Sequence, residues 1–294
     1  MGSNKIICFG EILWDIFPEK RKLGGAPFNV ASSLKGLGAD VEFFSRIGND
    51  SLGVQIKSEL TNQGISSDYL QIDQEHPTGK VLVSLNDAGS AHYEIETNAA
   101  WDFKETTPKT LDLVKQADAF VFGSLITRGA SCNALKTFLK LSKFNVFDLN
   151  LRPPFFSDSI LIELMESAHF LKFNDEEIYQ IAKMLNSPYH SMDQHIAYIA
   201  QKTKTEMICV TKGMFGAVLY YHGEWYSNSG FQIQVKDTVG AGDSFLATLI
   251  FGIVHGHNIQ SSLDRACAMG ALVAGSDGAN PSISEKELFD FMKI

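Results

Sequence analysis

Short apolar runs with strand character alternate with helical stretches along most of this chain, and that rhythm constrains its fold more than any other feature. Lys5-Ile6-Ile7-Cys8-Phe9 reads as a buried strand. Pro27 sits where a helix begins, and Phe28, Val30, Ala31, Leu34 and Leu37 follow at helical spacing. Val41–Ile47 is a second strand, and Leu52–Leu60 a helix closed by Gly64. Further strands are expected at Ala119–Phe122, Asn145–Phe147, His169–Lys172 and Met207–Val210, with helices at 131–142, 158–168, 174–185 and 190–203 between them. Parallel strands need long crossovers, which helices supply. The alternation therefore predicts an α/β chain with a mostly parallel central sheet covered on both faces.

Two places break the rhythm. Ile12–Pro18 stays strand-like after the first strand, through Gly10-Glu11. Residues 79–97 alternate apolar and polar around Asn86-Asp87-Ala88-Gly89, a hairpin signal with Gly79–Leu85 and Ala91–Ile95 as its strands. An antiparallel hairpin inside an α/β chain points to a small second sheet acting as a lid, built from segments near 11–23 and 78–103 of one domain spanning 1–294. Residues 262–275 form a helix of small side chains followed by a Gly-rich loop, 276–282. Such a helix suits either tight helix packing or close approach to a flat group such as a nucleotide base.

Composition narrows the partners. The 294 residues carry 45% hydrophobic and 20% charged side chains, enough for a large core. A net charge of −9, with no Lys/Arg run longer than Lys20-Arg21-Lys22, argues against a nucleic-acid partner. The longest apolar run, Phe245–Val254, is too short to span a bilayer, so no membrane partner is expected. The first strand is too short for a signal core, and Ile6 stands where a myristoylation site on Met1-Gly2-Ser3 would need Ser or Thr. Cys8, Cys132, Cys209 and Cys267 lie far apart without a Cys-x-x-Cys, which predicts reduced thiols in a cytoplasmic protein.

Two segments carry chemistry. In Lys236-Asp-Thr-Val-Gly240-Ala241-Gly242-Asp243-Ser244, a Gly-rich turn runs into an apolar helix. Helix starts offer unpaired N–H groups and partial positive charge, and small residues let an anion approach them. Asp243 at that joint could accept a proton from a hydroxyl attacking a phosphoryl group, or could simply cap the helix. In Gly24-Gly25-Ala26-Pro27-Phe28-Asn29, glycines again lead into a helix. There Asn29 offers two donors and an acceptor, suited to sugar hydroxyls or to a local cap.

Gly24-Gly25-Ala-x-x-Asn29-x-Ala31 and Asp237-Thr238-x-Gly240-Ala241-Gly242-Asp243 together resemble the two signatures of the PfkB/ribokinase family of carbohydrate kinases. The likeness extends to Gly10-Glu11-x-x-x-Asp15, Asn174-x-x-Glu177, Thr211-Lys212-Gly213-x-x-Gly216 and Gly278-Ala279, so it covers essentially the whole chain. It implies a three-layer α/β/α ribokinase-like fold with a small β-sheet lid, and ATP-dependent phosphorylation of a sugar hydroxyl. By the same resemblance Asp243 is the base, with an ordinary pKa near ~4, and the amides of Gly240, Ala241 and Gly242 hold the phosphoryl charge. Asp15, Gly25 and Asn29 hold the sugar, with Trp101 a candidate apolar wall and Arg152 a phosphate or sugar contact or else a surface ion pair. Asn174, Thr211, Gly213, Gly216, Gly278 and Ala279 border ATP. Glu177 reaches Mg²⁺ through water, although Asn174-x-x-Glu177 also reads as a capping box. Backbone around Asp237, Val239 and Gly278, with Ser282 nearby, borders a monovalent cation such as K⁺.

Gly10–Pro18, Ala100-Trp101-Asp102 and Asp148-Leu-Asn150-Leu-Arg152-Pro153 look most like the fructokinase branch, which implies phosphate transfer to O6 of D-fructose. Ribokinase, another ketose or keto-acid kinase, and a catalytically inactive sugar sensor are the alternatives. A dehydrogenase would need Gly-x-Gly-x-x-Gly after the first strand, where Gly-Glu-Ile-Leu-Trp-Asp stands. The lid hairpin also offers strands through which a homodimer could form.

Overall fold

In the computed structural model, which describes residues 4–85 and 91–293, two sheets divide the strands between them. The larger sheet contains β1 (Ile6–Phe9), β4 (Val41–Gly48), β5 (Leu70–Asp73), β8 (Ala119–Gly123), β9 (Asn145–Asp148), β10 (Phe170–Asn174), β11 (Met207–Thr211), β12 (Ala217–Tyr221) and β13 (Glu224–Asn228). Numbered along the chain, they lie in the order β13-β12-β11-β10-β9-β8-β1-β4-β5. Every pair from β5 to β11 is parallel, and β12 and β13 continue antiparallel.

Among the described residues, ten α-helices fill the crossovers and the end of the chain: α1 (Ala26–Gly36), α2 (Ser51–Asn62), α3 (Pro108–Gln116), α4 (Ser131–Leu139), α5 (Asp158–Glu166), α6 (Asp175–Met184), α7 (Met192–Thr203), α8 (Ala241–Val254), α9 (Ile259–Ala274) and α10 (Glu285–Phe291). Successive strand residues point to opposite faces, and β1 shows where each face goes. Ile6 and Cys8 join a core with Phe28, Leu34, Ile56, Leu249 and Leu263 from α1, α2, α8 and α9. Ile7 and Phe9 join a second core with Leu113, Leu135, Leu164, Ile178 and Ile196 from α3 to α7. These are the three layers expected.

The second sheet has the order β3-β2-β6-β7, from β2 (Leu13–Ile16), β3 (Arg21–Gly24), β6 (Gly79–Leu85) and β7 (Ala91–Ile95). Each of the two segments expected to form a lid thus supplies two strands. The turn signal at Asn86–Gly89 and the Met1-Gly2-Ser3 start lie outside the described residues. β6 pairs antiparallel with β7, but β2 meets β6 in parallel. The small-residue helix 262–275 belongs to α9 and packs on α8: a methyl group on Gly270 would come 3.2 Å from the Ala241 carbonyl oxygen. Close helix packing accounts for that stretch.

Candidate active site

Ligand sites in open α/β sheets lie beyond the carboxyl ends of the strands. Here Glu11 after β1, Asp148 at the end of β9, Asn174 at the end of β10 and Thr211 at the end of β11 lie along that edge, and the start of α8 joins them.

Gly240 forms the N-cap of α8 with φ +81, and a side chain there would run into the backbone of Ala279. Both facts demand glycine. No side chain caps α8, so its start is left open to an anion. Ala241 N–H donates weakly to Thr238 O at 3.3 Å, and Ser244 N–H to Gly240 O at 2.8 Å. Asp243 does not cap the helix. Its Oδ2 accepts from Asn29 Nδ2 at 2.8 Å, across from α1. Asn29 is buried and does not cap α1, whose N-cap is Gly25. Its Oδ1 instead accepts from Asn280 Nδ2 at 2.9 Å. The chain Asn280–Asn29–Asp243 fixes which end of the Asn29 amide faces the carboxylate.

The surroundings correct one expectation. Asp243 is pushed up to about 7, mainly by burial and next by the negative charge of Asp148. The Asn29 bond and Lys172 oppose the shift, and Glu11 adds to it. A carboxyl group near neutrality is a better proton acceptor at physiological pH than one near ~4. Lys172, on β10, carries the balancing charge. Its Nζ is 2.8 Å from Asp148 Oδ1, and both side chains are buried. Burial would lower Lys172, but Asp148, Glu177 and Asp243 together hold it above the usual lysine range.

On the sugar side, Asp15 projects from β2 toward Gly24 of β3, where a side chain would collide with its carboxylate. Burial pushes Asp15 up to about 6, against the pull of Lys22. Gly25 holds φ +115, and a Cβ there would lie 2.5 Å from the Glu11 carbonyl oxygen. Asp15, Gly25 and Asn29 therefore gather around the junction of β3 and α1. Trp101 does not reach an open surface: it is 1% exposed, wedged under Gly79 and the Arg128 guanidinium. Arg152 is exposed and donates to the Leu151 carbonyl at 3.0 Å; among the described residues it pairs with no carboxylate.

On the nucleotide side, Asn174 and Glu177 make the reciprocal cap. Asn174 Oδ1 accepts from Glu177 N at 2.8 Å, and Glu177 Oε2 from Asn174 N at 2.9 Å. Glu177 Oε1 accepts from Leu151 N at 2.7 Å. Glu177 is raised by burial and by Asp148, against Lys172. Three carboxylates (Asp148, Glu177 and Asp243) thus share one lysine. That excess of negative charge suits a hydrated divalent cation held through water, the way Mg²⁺ is usually bound. Thr211 donates to Phe173 O at 3.3 Å, and Gly213 and Gly216 take positive φ in the turn before β12. Gly278, φ +84, and Ala279 face Gly240 and the second sheet. Asp237 accepts from Val239 N at 3.1 Å, and Ser282 is exposed.

Sequence reasoning missed Asn280, Lys172 and Lys22. A lone lysine in the apolar run Phe170-Leu-Lys-Phe173 was the available signal for the second. Nothing local marks Asn280.

The profile of the pfkB family carbohydrate kinases matches residues 5–286. A fructokinase of Escherichia coli is 29% identical, over 94% of this chain and 95% of its own. Two solved structures share the fold. One is a double mutant of Vibrio cholerae fructokinase with fructose, ADP and potassium ion bound, at TM-score 0.85 and 22% identity over 99% of both chains. The other is an Arabidopsis thaliana ribokinase with ribose and ATP, at TM-score 0.82 and 23% identity over 99% of this chain and 98% of that one.

Proposed function

This chain belongs to the pfkB family of carbohydrate kinases and is a sugar kinase; from that premise we infer that it transfers the γ-phosphoryl group of MgATP to O6 of D-fructose. The observation that carries the chemistry is the Asp243 carboxylate, set in the first turn of an uncapped helix and held by Asn29 at 2.8 Å. Asp15 and Gly25 place the sugar beside it. Asp243 accepts the proton as the hydroxyl attacks, late in a loose transition state. The open helix start at Gly240–Gly242 receives the phosphoryl charge, a contribution of order 10²–10³ per donor elsewhere. Mg²⁺, reached through water by Glu177, would neutralise phosphate charge. Asn174, Thr211, Gly213, Gly216, Gly278 and Ala279 line the nucleotide, and Arg152, in no ion pair among the described residues, faces substrate. With its rings buried, Trp101 supports the sugar site from below.

The fructose assignment rests on the fructokinase-like segments and the Escherichia coli relative; ribose is the main competitor. An ADP-release assay with MgATP across fructose, ribose, tagatose, glucose, mannose and 2-keto-3-deoxygluconate tests it. Preference for fructose is expected. Preference for another sugar would overturn the substrate, and no turnover in folded, ATP-binding protein would favour a sensor.

The second sheet is read as a lid that closes over sugar. Its edge strands β3 and β7, with Leu82 41% exposed beside them, also favour a homodimer. Sedimentation velocity should give the mass of two chains, and a strict monomer would remove that proposal. Four unpaired cysteines fit a reducing compartment, so we place the enzyme in the cytoplasm.

A further inference from the structure

The Asp237 carboxylate, expected to border a monovalent cation, already has a cation of this chain beside it. We infer that the Lys22 ammonium takes the place of that ion, so that this kinase carries its own fixed cation and works without potassium.

Cross-strand register puts Lys22 of β3 opposite Asp15 of β2, so both side chains leave the same face of the second sheet. That face looks onto the Asp237–Asp243 turn. Lys22 Nζ lies 3.0 Å from Asp237 Oδ2, between residues 215 positions apart. It also stands 3.9 Å from where a Cβ on Gly278 would be, so it sits against the loop that packs on Gly240. The other Asp237 oxygen accepts from Val239 N at 3.1 Å, and the Gly278 N–H lies near enough to the same carboxylate to favour its charge. Burial would lift Asp237, yet Lys22 and these N–H groups hold it below the usual carboxylate range.

Asp237 therefore has donors on both oxygens and a neighbouring positive charge, which a metal cation would meet as repulsion. Ser282, expected nearby, faces solvent. A cation at this point ties the 237–239 turn to the 278–282 loop and so keeps the start of α8 aimed. Lys22 does the same from the second sheet, linking the sugar-binding strands to the phosphate turn. It is a positioning residue.

The inference goes beyond the choice of sugar and needs only that some sugar is phosphorylated; its first test needs no substrate. Thermal unfolding of the full chain should give the same midpoint in potassium chloride and in tetramethylammonium chloride at equal ionic strength. Lys22→Met should acquire a midpoint that rises with potassium only. With MgATP and the best sugar of the panel, wild-type turnover should not distinguish the two salts. Lys22→Met should lose activity on the order of tenfold in tetramethylammonium and regain most of it in potassium. A wild-type midpoint or turnover that rises specifically with potassium would overturn the inference. So would a Lys22→Met protein whose lost activity potassium does not restore. If Lys22→Met does not fold, Lys22→Gln replaces it, and the wild-type comparison still decides.

Discussion

Asp243→Asn is expected to cut turnover by about 10²–10⁴ while making the protein more stable above neutrality. The two effects have one cause. Burial and Asp148 lift Asp243 from 3.8 to about 7, so the folded protein holds this proton more tightly than the unfolded chain does. Stability from such a group is complete below the unfolded value and is lost as pH rises through about 7. Above that, the enzyme keeps a negative charge where its surroundings resist one. An amide removes that charge and can still meet Asn29. The gap between 3.8 and about 7 caps the gain at about 4 kcal/mol. Melting temperatures should therefore diverge at about pH 8 and converge at about pH 4. For the wild type, kcat/KM should climb through about 7, and that climb should vanish from the residual activity of the variant. Unchanged turnover would remove Asp243 as the base. A variant less stable at both pH values would show that the carboxylate is not a strained charge.

The alternation of strands and helices was legible because parallel strands buried on both faces are largely apolar: β1 and β8 are so throughout, and β9, β10 and β11 are interrupted only by Asn145, Asp148, Lys172, Asn174 and Thr211. β3 was not, since Arg21-Lys22-Leu23-Gly24 carries no apolar alternation and gains its place only by pairing with β2. The β12–β13 hairpin carried a readable signal that went unused, Ala217–Tyr221 and Glu224–Asn228 around His222-Gly223, both at positive φ. The short α3 and α10 lacked the long periodic pattern that marks a helix.

The site divides in the same way. Glycines that must be glycine announce themselves, and Gly25 and Gly240 are fixed by both φ and a backbone neighbour. The choice for Asp243 between cap and base could not be read locally, because it depends on Asn29, distant in sequence and close in space. Its proton affinity is set by residues of four other segments, carrying Glu11, Asn29, Asp148 and Lys172. No window of sequence contains that sum.

Lys172→Met should be the most destabilising single change at the site. Lys172 is the cation shared by Asp148, Glu177 and Asp243, and its bond to Asp148 is buried at both ends. Methionine fills much of the same volume, so the loss is chiefly electrostatic: two buried carboxylates would face each other without compensation. Breaking such a pair from one side costs about 3–5 kcal/mol, a large share of the roughly 5–15 kcal/mol that holds a domain together. The pH dependence carries a definite sign. Without Lys172, Glu177 loses the charge that opposes its rise, so it binds its proton still more tightly in the folded state than in the unfolded one. The deficit should then be smallest in mild acid and grow as pH rises through the new folded value of Glu177. Asp243 loses one of the groups that restrain its shift, so the activity profile should also move to higher pH. Urea unfolding at about pH 5 and about pH 8 measures the first effect, and kcat/KM against pH the second. Asp148→Asn in the same background should recover part of the stability, since it removes one of the stranded charges. A deficit under about 1 kcal/mol at both pH values would mean that Lys172 is not the counter-charge of this site.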